Sequence, residues 1–132
     1  MAKAMKSKQL TFDKENEVGL LAEISAALAA AQVNITGLCA YQMNDRAYFM
    51  MMTDNNGKAK RALKKIDTKA KDEPVIVVEM PNRVGEMEKV SAMLSEAGID
   101  IQYVYGTAGS KRSTFCVFKT DKDAKAIRVI NK

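Results

Sequence analysis

The amino-acid sequence repeats itself at an offset of 66 residues, as from Gly19 to Gly85, and this repeat constrains the fold more than any other feature. Identical residues align without a gap: Asn16 with Asn82, Val18 with Val84, Gly19 with Gly85, Ser25 with Ser91, Ala26 with Ala92, Leu28 with Leu94 and Ala31 with Ala97. Similar residues continue this register to Arg46 with Arg112 and Phe49 with Phe115. Such a repeat indicates two copies of one structural unit. We therefore predict two domains, 8–72 and 73–132, whose small cores stabilise each other.

The hydrophobic period changes in the same order within each copy, and this predicts the order of the secondary-structure elements. Apolar residues at helical spacing predict one amphipathic helix in each copy, on Leu21, Ile24, Leu28 and Ala31 and on Met87, Val90, Leu94 and Ala97. Strands are predicted at 9–12, 35–43 and 47–53 and at 75–80, 99–105 and 114–119, with hairpin loops at 44–45 and 106–110. Lysine-rich helices follow at 57–66 and 123–130, so each copy has the order β-α-β-β-α.

A fourth strand would complete a split β-α-β arrangement in each copy. Residues 68–71 can supply it in the first copy, whereas the sequence ends at Lys132, where the last strand of the second copy would begin. We therefore predict an α+β fold of two tandem ferredoxin-like (βαββαβ) units with antiparallel sheets. The second unit lacks its last strand, and its sheet is either three-stranded or completed by another segment.

A short segment of the same kind precedes the first helix of each copy: Asn16-Glu17-Val18-Gly19-Leu20 and Asn82-Arg83-Val84-Gly85-Glu86. The start of a helix has unpaired N–H groups and the positive end of the helix dipole, so it favours a carboxylate. Glycine at this point lets a ligand approach the backbone without a Cβ in the way. Two alternatives remain open: the glycines permit close packing of helix and sheet, and the asparagines only cap the helices.

These segments resemble the ACT family, whose units open with an Asn-Arg-Pro-Gly-like turn and begin their second strand with an Ile-Asn-Ile-like motif. The second copy is the closer match, with Pro81-Asn82-Arg83-Val84-Gly85 and Ala97-Gly98-Ile99-Asp100-Ile101. The first copy matches through Asn16-Glu17-Val18-Gly19 and Val33-Asn34-Ile35, and valine replaces the family's usual proline in both turns. The resemblance covers nearly the whole chain. It implies ferredoxin-like units that pair side by side and bind an amino acid where the turn of one unit meets a neighbour.

Carried over residue by residue, the resemblance names these candidate ligand-binding residues: Asn16, Val18, Gly19, Asn34, Ile35, Asn82, Val84, Gly85, Asp100 and Ile101. We expect backbone N–H groups around the two glycines to bind the ligand carboxylate, and Asn or Asp oxygens and strand carbonyls to bind its ammonium. Leu20, Met87 and Ile101 are candidate walls for its side chain, because small-molecule sites are mostly apolar. We predict a regulatory protein that binds a free amino acid, forms a homo-oligomer such as a dimer, and acts on an unidentified protein partner.

The composition disfavours several other classes of protein. Histidine is absent, which removes the commonest general base and the commonest metal ligand, so we predict no enzyme, no metal site and no cofactor. Cys39 and Cys116 lie far apart in apolar runs, which predicts buried free thiols. The three methionines at 50–52 are expected in the core. No apolar run approaches the roughly 20 residues of a membrane span, so we predict a cytoplasmic protein with no membrane partner.

RNA binding is the alternative function, because RNA-recognition modules share this element order and stack bases on aromatic side chains such as Tyr48 and Phe49. The glycine-aromatic alternation of those modules is missing here. The formal charge of +5 comes from 21 basic residues interspersed with 16 acidic ones, so no specific nucleic-acid partner is predicted. A regulatory subunit of an amino-acid metabolic enzyme is a further alternative.

Overall fold

The computed structural model of the chain describes residues 1–107 and 109–132, which form alternating strands and helices. Their bounds are β1 (Lys3–Glu15), α1 (Leu20–Ala30), β2 (Ile35–Met43), β3 (Arg46–Thr53), α2 (Asn56–Lys64), β4 (Lys71–Pro81), α3 (Glu86–Glu96), β5 (Ile101–Gly106), β6 (Ser113–Thr120) and α4 (Asp123–Asn131). The chain divides into two compact units. We call Gln9–Glu73 the first unit, and Pro74–Lys132 together with Met1–Lys8 the second unit.

The first unit is a sheet with the strand order β2-β3-β1, on which α1 and α2 pack. Strands β1 and β3 are antiparallel, and Phe12 lies opposite Phe49 in the register. The two rings stack with their centroids 4.8 Å apart in the core. The predicted hairpin between β2 and β3 is confirmed: Asn44 and Asp45 both have positive φ, as the tight primed turns that join antiparallel strands require.

The second unit has the strand order β4-β6-β5, with residues 3–8 of β1 beside β4. Ala4 is buried in the same core as Ile76 and Val78. Its backbone N–H donates to Asn131 Oδ1 at 2.7 Å, and Asn131 Nδ2 donates to the Ala4 carbonyl at 2.8 Å. No strand follows α4 in the described residues, as predicted, and the beginning of the chain completes this sheet instead.

Two predicted strands have different bounds in the structure. The strand predicted at 9–12 runs from Lys3 to Glu15. The prediction missed its first half because polar residues flank the small Ala4 there, so that this part of the strand has little apolar periodicity. Residues 68–70 form no strand, and β4 begins only at Lys71. The first residues of β4, up to Glu73, belong to the first unit.

The repeat loses its 66-residue register after the second strand of each copy. Phe12 pairs with Phe49, whereas Val78, which is 66 residues after Phe12, pairs with Cys116, which is 67 residues after Phe49. Between equivalent positions of the second and third strands, the second copy therefore holds one residue more than the first. The predicted equivalence of Phe49 with Phe115, and of Arg46 with Arg112, is wrong for this reason. The loop between β5 and β6 was predicted at 106–110, and Ala108 within it lies outside the described residues.

The packing of the sulfur-containing side chains follows most of the expectations. Met51 and Met52 are buried, which confirms their place in the core, whereas Met50 is only half-buried. Both cysteines are free thiols, but only Cys116 is buried, and Cys39 is half-buried on the outer strand β2. Burial raises the pKa of the Cys116 thiol, because the thiolate would lose its hydration. Among the described residues, every helix is too short or too polar to cross a lipid bilayer.

Candidate functional site

Each of the two repeated turns ends in a glycine with left-handed backbone conformation. Gly19 has a φ of 90° and Gly85 a φ of 91°, and the helix begins at the next residue. A Cβ built on either glycine would have no heavy atom within 4 Å. The glycines are therefore required by the backbone conformation and not by close packing of helix and sheet.

The asparagines of the two turns do not cap the helices that follow. The N-cap positions are the glycines, and neither helix receives a side-chain capping hydrogen bond. The backbone N–H of Asn16 donates to the Asp45 carbonyl at 2.9 Å, and its side chain has no hydrogen-bond partner among the described residues. Asn82 differs, because its Nδ2 donates to the Ser110 carbonyl at 3.2 Å. Of the two asparagine side chains, only Asn16 is free to meet a ligand.

The first turn of α1 leaves backbone donors free. The Leu20 N–H donates to the Glu17 carbonyl at 3.3 Å, and the Glu23 N–H donates to the Gly19 carbonyl at 3.0 Å. Between them, the N–H groups of Leu21 and Ala22 have no partner within the described part of the chain. Helix starts commonly leave such donors, and together with the helix dipole they attract an anion.

A cavity of about 280 Å³ lies beside this helix start in the first unit. Its lining comes from the turn, from the end of β2 and from β3: Asn16, Glu17, Gly19, Leu20, Leu21, Ala40, Tyr41, Gln42, Ala47 and Phe49. Asn16, Gly19 and Leu20 were predicted as site residues, whereas Val18 does not line the cavity and is fully exposed at the tip of the turn.

The wall formed by β2 was missed by the sequence analysis, although a signal for it exists. A strand that runs back along α1 and ends in a tight hairpin must finish beside the turn where α1 begins. The hydrogen bond from the Asn16 backbone N–H to the Asp45 carbonyl in the β2–β3 hairpin shows this proximity. The residues of interest were therefore those at the end of β2 and not those at its start.

The predicted residues at the starts of the second strands lie at the other end of each unit. α1 has 11 residues and so spans about 16 Å, which separates Asn34 and Ile35 from the turn of their own unit. The Asn34 N–H donates to Asp54 Oδ1 at 3.0 Å, and the Asp100 N–H donates to Asp121 Oδ1 at 2.9 Å. Asn34 and Ile35 therefore lie far from the start of α1 in the first unit. In the same way, Asp100 and Ile101 follow α3 and lie far from the start of that helix in the second unit.

The turn of the second unit carries its own carboxylate. Glu86 occupies the repeat position of Leu20, and its side chain is only 7% exposed. Lys89 Nζ lies 3.1 Å from Glu86 Oε2, and Arg83 Nη2 lies 3.4 Å from the same oxygen. The hydrogen bond from Lys89, helped by both positive charges, lowers the pKa of Glu86. A cavity of about 200 Å³ adjoins these three side chains and the apolar Val90 and Met93.

Two further residues predicted to bind a ligand at this second turn are exposed. Val84 is fully exposed and Met87 is partly exposed, as are their counterparts in the first unit.

Larger cavities of about 560 Å³ and 440 Å³ lie away from both turns and contain none of the predicted site residues. In residues 1–107 and 109–132, no cluster of three or more His, Cys, Asp or Glu side chains is arranged to hold a metal ion.

Comparison with known proteins agrees with this architecture. The chain is similar to protein BT0572 from Bacteroides thetaiotaomicron, with 29% identity, a TM-score of 0.87, and coverage of 96% of this chain and 87% of that one. It shares its fold with the ligand-free regulatory subunit of aspartate kinase from Thermus thermophilus, at 13% identity and a TM-score of 0.65, covering 96% and 93%.

A second such subunit, from Thermus flavus, is similar at 14% identity and a TM-score of 0.62, covering 97% of this chain and 94% of the other. No functionally curated protein sequence matches the chain. The model of the family described as an ACT domain pair matches residues 5–132. Because this match spans both repeats and both glycine turns, the chain belongs to the family of ACT domain pairs.

Proposed function

We propose that this ACT domain pair is a non-catalytic regulatory protein that binds a free amino acid at the start of α1. The observation that carries the proposal is the cavity beside Gly19, whose lining combines Leu21, with its unpaired N–H group, the unpartnered Asn16 side chain and apolar walls. Small-molecule sites typically combine such apolar walls with a few polar groups that fix the orientation of the ligand.

Each part of an amino acid has a complementary group at this site. The N–H groups of Leu21 and Ala22 would bind the α-carboxylate at the positive end of α1. The Glu17 carboxylate and the Asn16 amide oxygen would bind the α-ammonium, and both residues line the cavity. The ligand side chain would lie against Leu20 and the other apolar wall residues.

A neighbouring ACT unit would complete the site in a homodimer. Val18, Leu21, Tyr41 and Met43 are exposed apolar residues near the cavity, and β2 is an edge strand without a charged residue. Uncharged edge strands favour pairing with another chain. A neighbour's second-strand start, with Asn34 and Ile35 or Asp100 and Ile101, would then contact the ligand that these residues cannot reach in their own unit.

Regulation would follow if the ligand binds one conformation of the pair better than another. The proteins of similar fold include regulatory subunits of aspartate kinase, so an enzyme of amino-acid metabolism is the class of partner we favour. The two free thiols fit a reducing compartment such as the cytoplasm. The alternative of RNA binding has weaker support, because Phe49, one of the two predicted base-stacking side chains, is buried against Phe12.

The test is a thermal screen of the full chain against the common amino acids at millimolar concentration. A ligand at 100 times its dissociation constant adds about 2.7 kcal/mol to the free energy of unfolding, which raises the melting temperature by several degrees. Leu21→Pro removes one of the two free N–H donors in the first turn of α1, a donor that makes no hydrogen bond within the described residues, and should abolish the shift. Met87→Pro makes the same change in the second unit and is the matched control. If no amino acid moves the melting temperature, the proposed function is wrong.

A further inference from the structure

The two repeated turns share a backbone but carry different charges. Glu17 in the first turn corresponds to Arg83 in the second, and the buried Leu20 corresponds to the buried Glu86. The two glycines have nearly the same φ, so the difference lies in the side chains and not in the backbone. A zwitterionic ligand would therefore meet different electrostatics at the two helix starts.

The second turn is unfavourable for a ligand of this kind. Arg83 would repel an α-ammonium at the position where Glu17 attracts one. Glu86 and Glu88 both lie in the first turn of α3, so a ligand carboxylate would approach two negative charges. Glu86 is already paired with both Arg83 and Lys89, so its buried carboxylate needs no ligand ammonium as a partner.

The cavity of the first unit has a single charged side chain in its lining. Glu17 is that residue, and the other side chains are apolar, aromatic or uncharged amides. The floor includes the buried Ala47 and Phe49, on which an aliphatic or aromatic ligand side chain could pack. No lysine or arginine lines the cavity to neutralise an acidic ligand side chain.

We infer that the first-unit cavity selects an amino acid with an uncharged, mainly apolar side chain, and that the second turn does not bind this ligand. The inference rests on the proposed function and specifies its ligand class and stoichiometry. An aspartate or glutamate side chain would lie near Glu17 without a compensating cation. A lysine or arginine side chain would bury its charge against Ala47 and Phe49, which is costly without a partner.

Isothermal titration calorimetry of the full chain tests this selectivity with leucine, phenylalanine, aspartate and lysine as probes. Leucine or phenylalanine should bind at least about tenfold more tightly than aspartate and lysine, with one ligand per chain, because a tenfold ratio needs only a small difference in binding free energy. Tighter binding of aspartate or lysine, or two ligands per chain, overturns the inference and leaves the proposed function standing. If none of the common amino acids binds, both fail together.

A pair of charge variants tests which turn is responsible. Glu17→Arg gives the first turn the charge of the second and should weaken binding at least tenfold. Glu17 is exposed, and its only described hydrogen bond is made by its backbone carbonyl, so folding should survive the change. Arg83→Gln removes the charge of the corresponding residue in the second turn and should leave the affinity unchanged. If Arg83→Gln weakens binding as much as Glu17→Arg, the assignment to the first turn is wrong.

Discussion

Replacing Gly19 or Gly85 by alanine isolates the energetic contribution of the left-handed turn. A Cβ at either position would have no neighbour within 4 Å, so no steric term enters. The expected cost is that of holding an L-residue in the left-handed region, about 1–2 kcal/mol of the free energy of unfolding. The two variants should cost the same, because φ is 90° at Gly19 and 91° at Gly85. Asparagine, which tolerates this region better, should cost less.

Gly57 provides the control for these substitutions. It lies inside α2, and a Cβ there would make ordinary contacts of 3.6 Å and 3.7 Å with the side chains of Arg61 and Asn55. Gly57→Ala should therefore stabilise the protein by roughly 0.5–1 kcal/mol, as alanine generally does relative to glycine within a helix. Alanine is thus predicted to lower the free energy of unfolding at Gly19 and Gly85 and to raise it at Gly57.

Guanidinium denaturation measures all of these changes, from the shift of the midpoint at constant slope. A cost above about 4 kcal/mol at Gly19 or Gly85 would mean that a packing contact is lost, since strain of a single left-handed residue is smaller. No measurable cost would mean that the turn adopts another conformation. Either result would refute our explanation of why glycine stands at the start of both helices.

Two further predictions concern the second unit. Asn131→Ala removes both hydrogen bonds to the Ala4 backbone and should lower the free energy of unfolding by about 2 kcal/mol, at about 1 kcal/mol for each bond. Asn131→Asp keeps the acceptor and should cost about half, and equal effects in denaturation would contradict this reasoning. Glu86 has a folded-state pKa below its usual 4.5, so its stabilisation is complete above pH 4.5 and is lost as the pH falls through the folded pKa. Glu86→Gln should therefore flatten the loss of stability in acid, and an unchanged pH profile of the melting temperature would show that the pairing with Lys89 contributes nothing.

The sequence by itself determined the local elements and their duplication. Helical spacing located α1 and α3, and the β2 bounds of 35–43 agree with the structure, because side-chain periodicity is a property of neighbouring residues. The Asn44-Asp45 hairpin was also predicted from local residue patterns. The glycine turns were recognised because both copies repeat them at a helix start, whereas the left-handed conformation that requires glycine was found only in the structure.

The tertiary structure decided the features that depend on distant residues. Residues 3–8 complete the second unit through contacts such as Ala4 with Asn131, which no local pattern encodes. The extra residue between equivalent positions of the second and third strands appears only in the pairing of Val78 with Cys116, because strand register is set by cross-strand hydrogen bonds. The β2 wall of the cavity and the burial of Glu86 likewise depend on which strands and helices pack beside the two turns. The sequence therefore located the turns, whereas the packing around them distinguished an open cavity from a turn whose buried carboxylate is already paired.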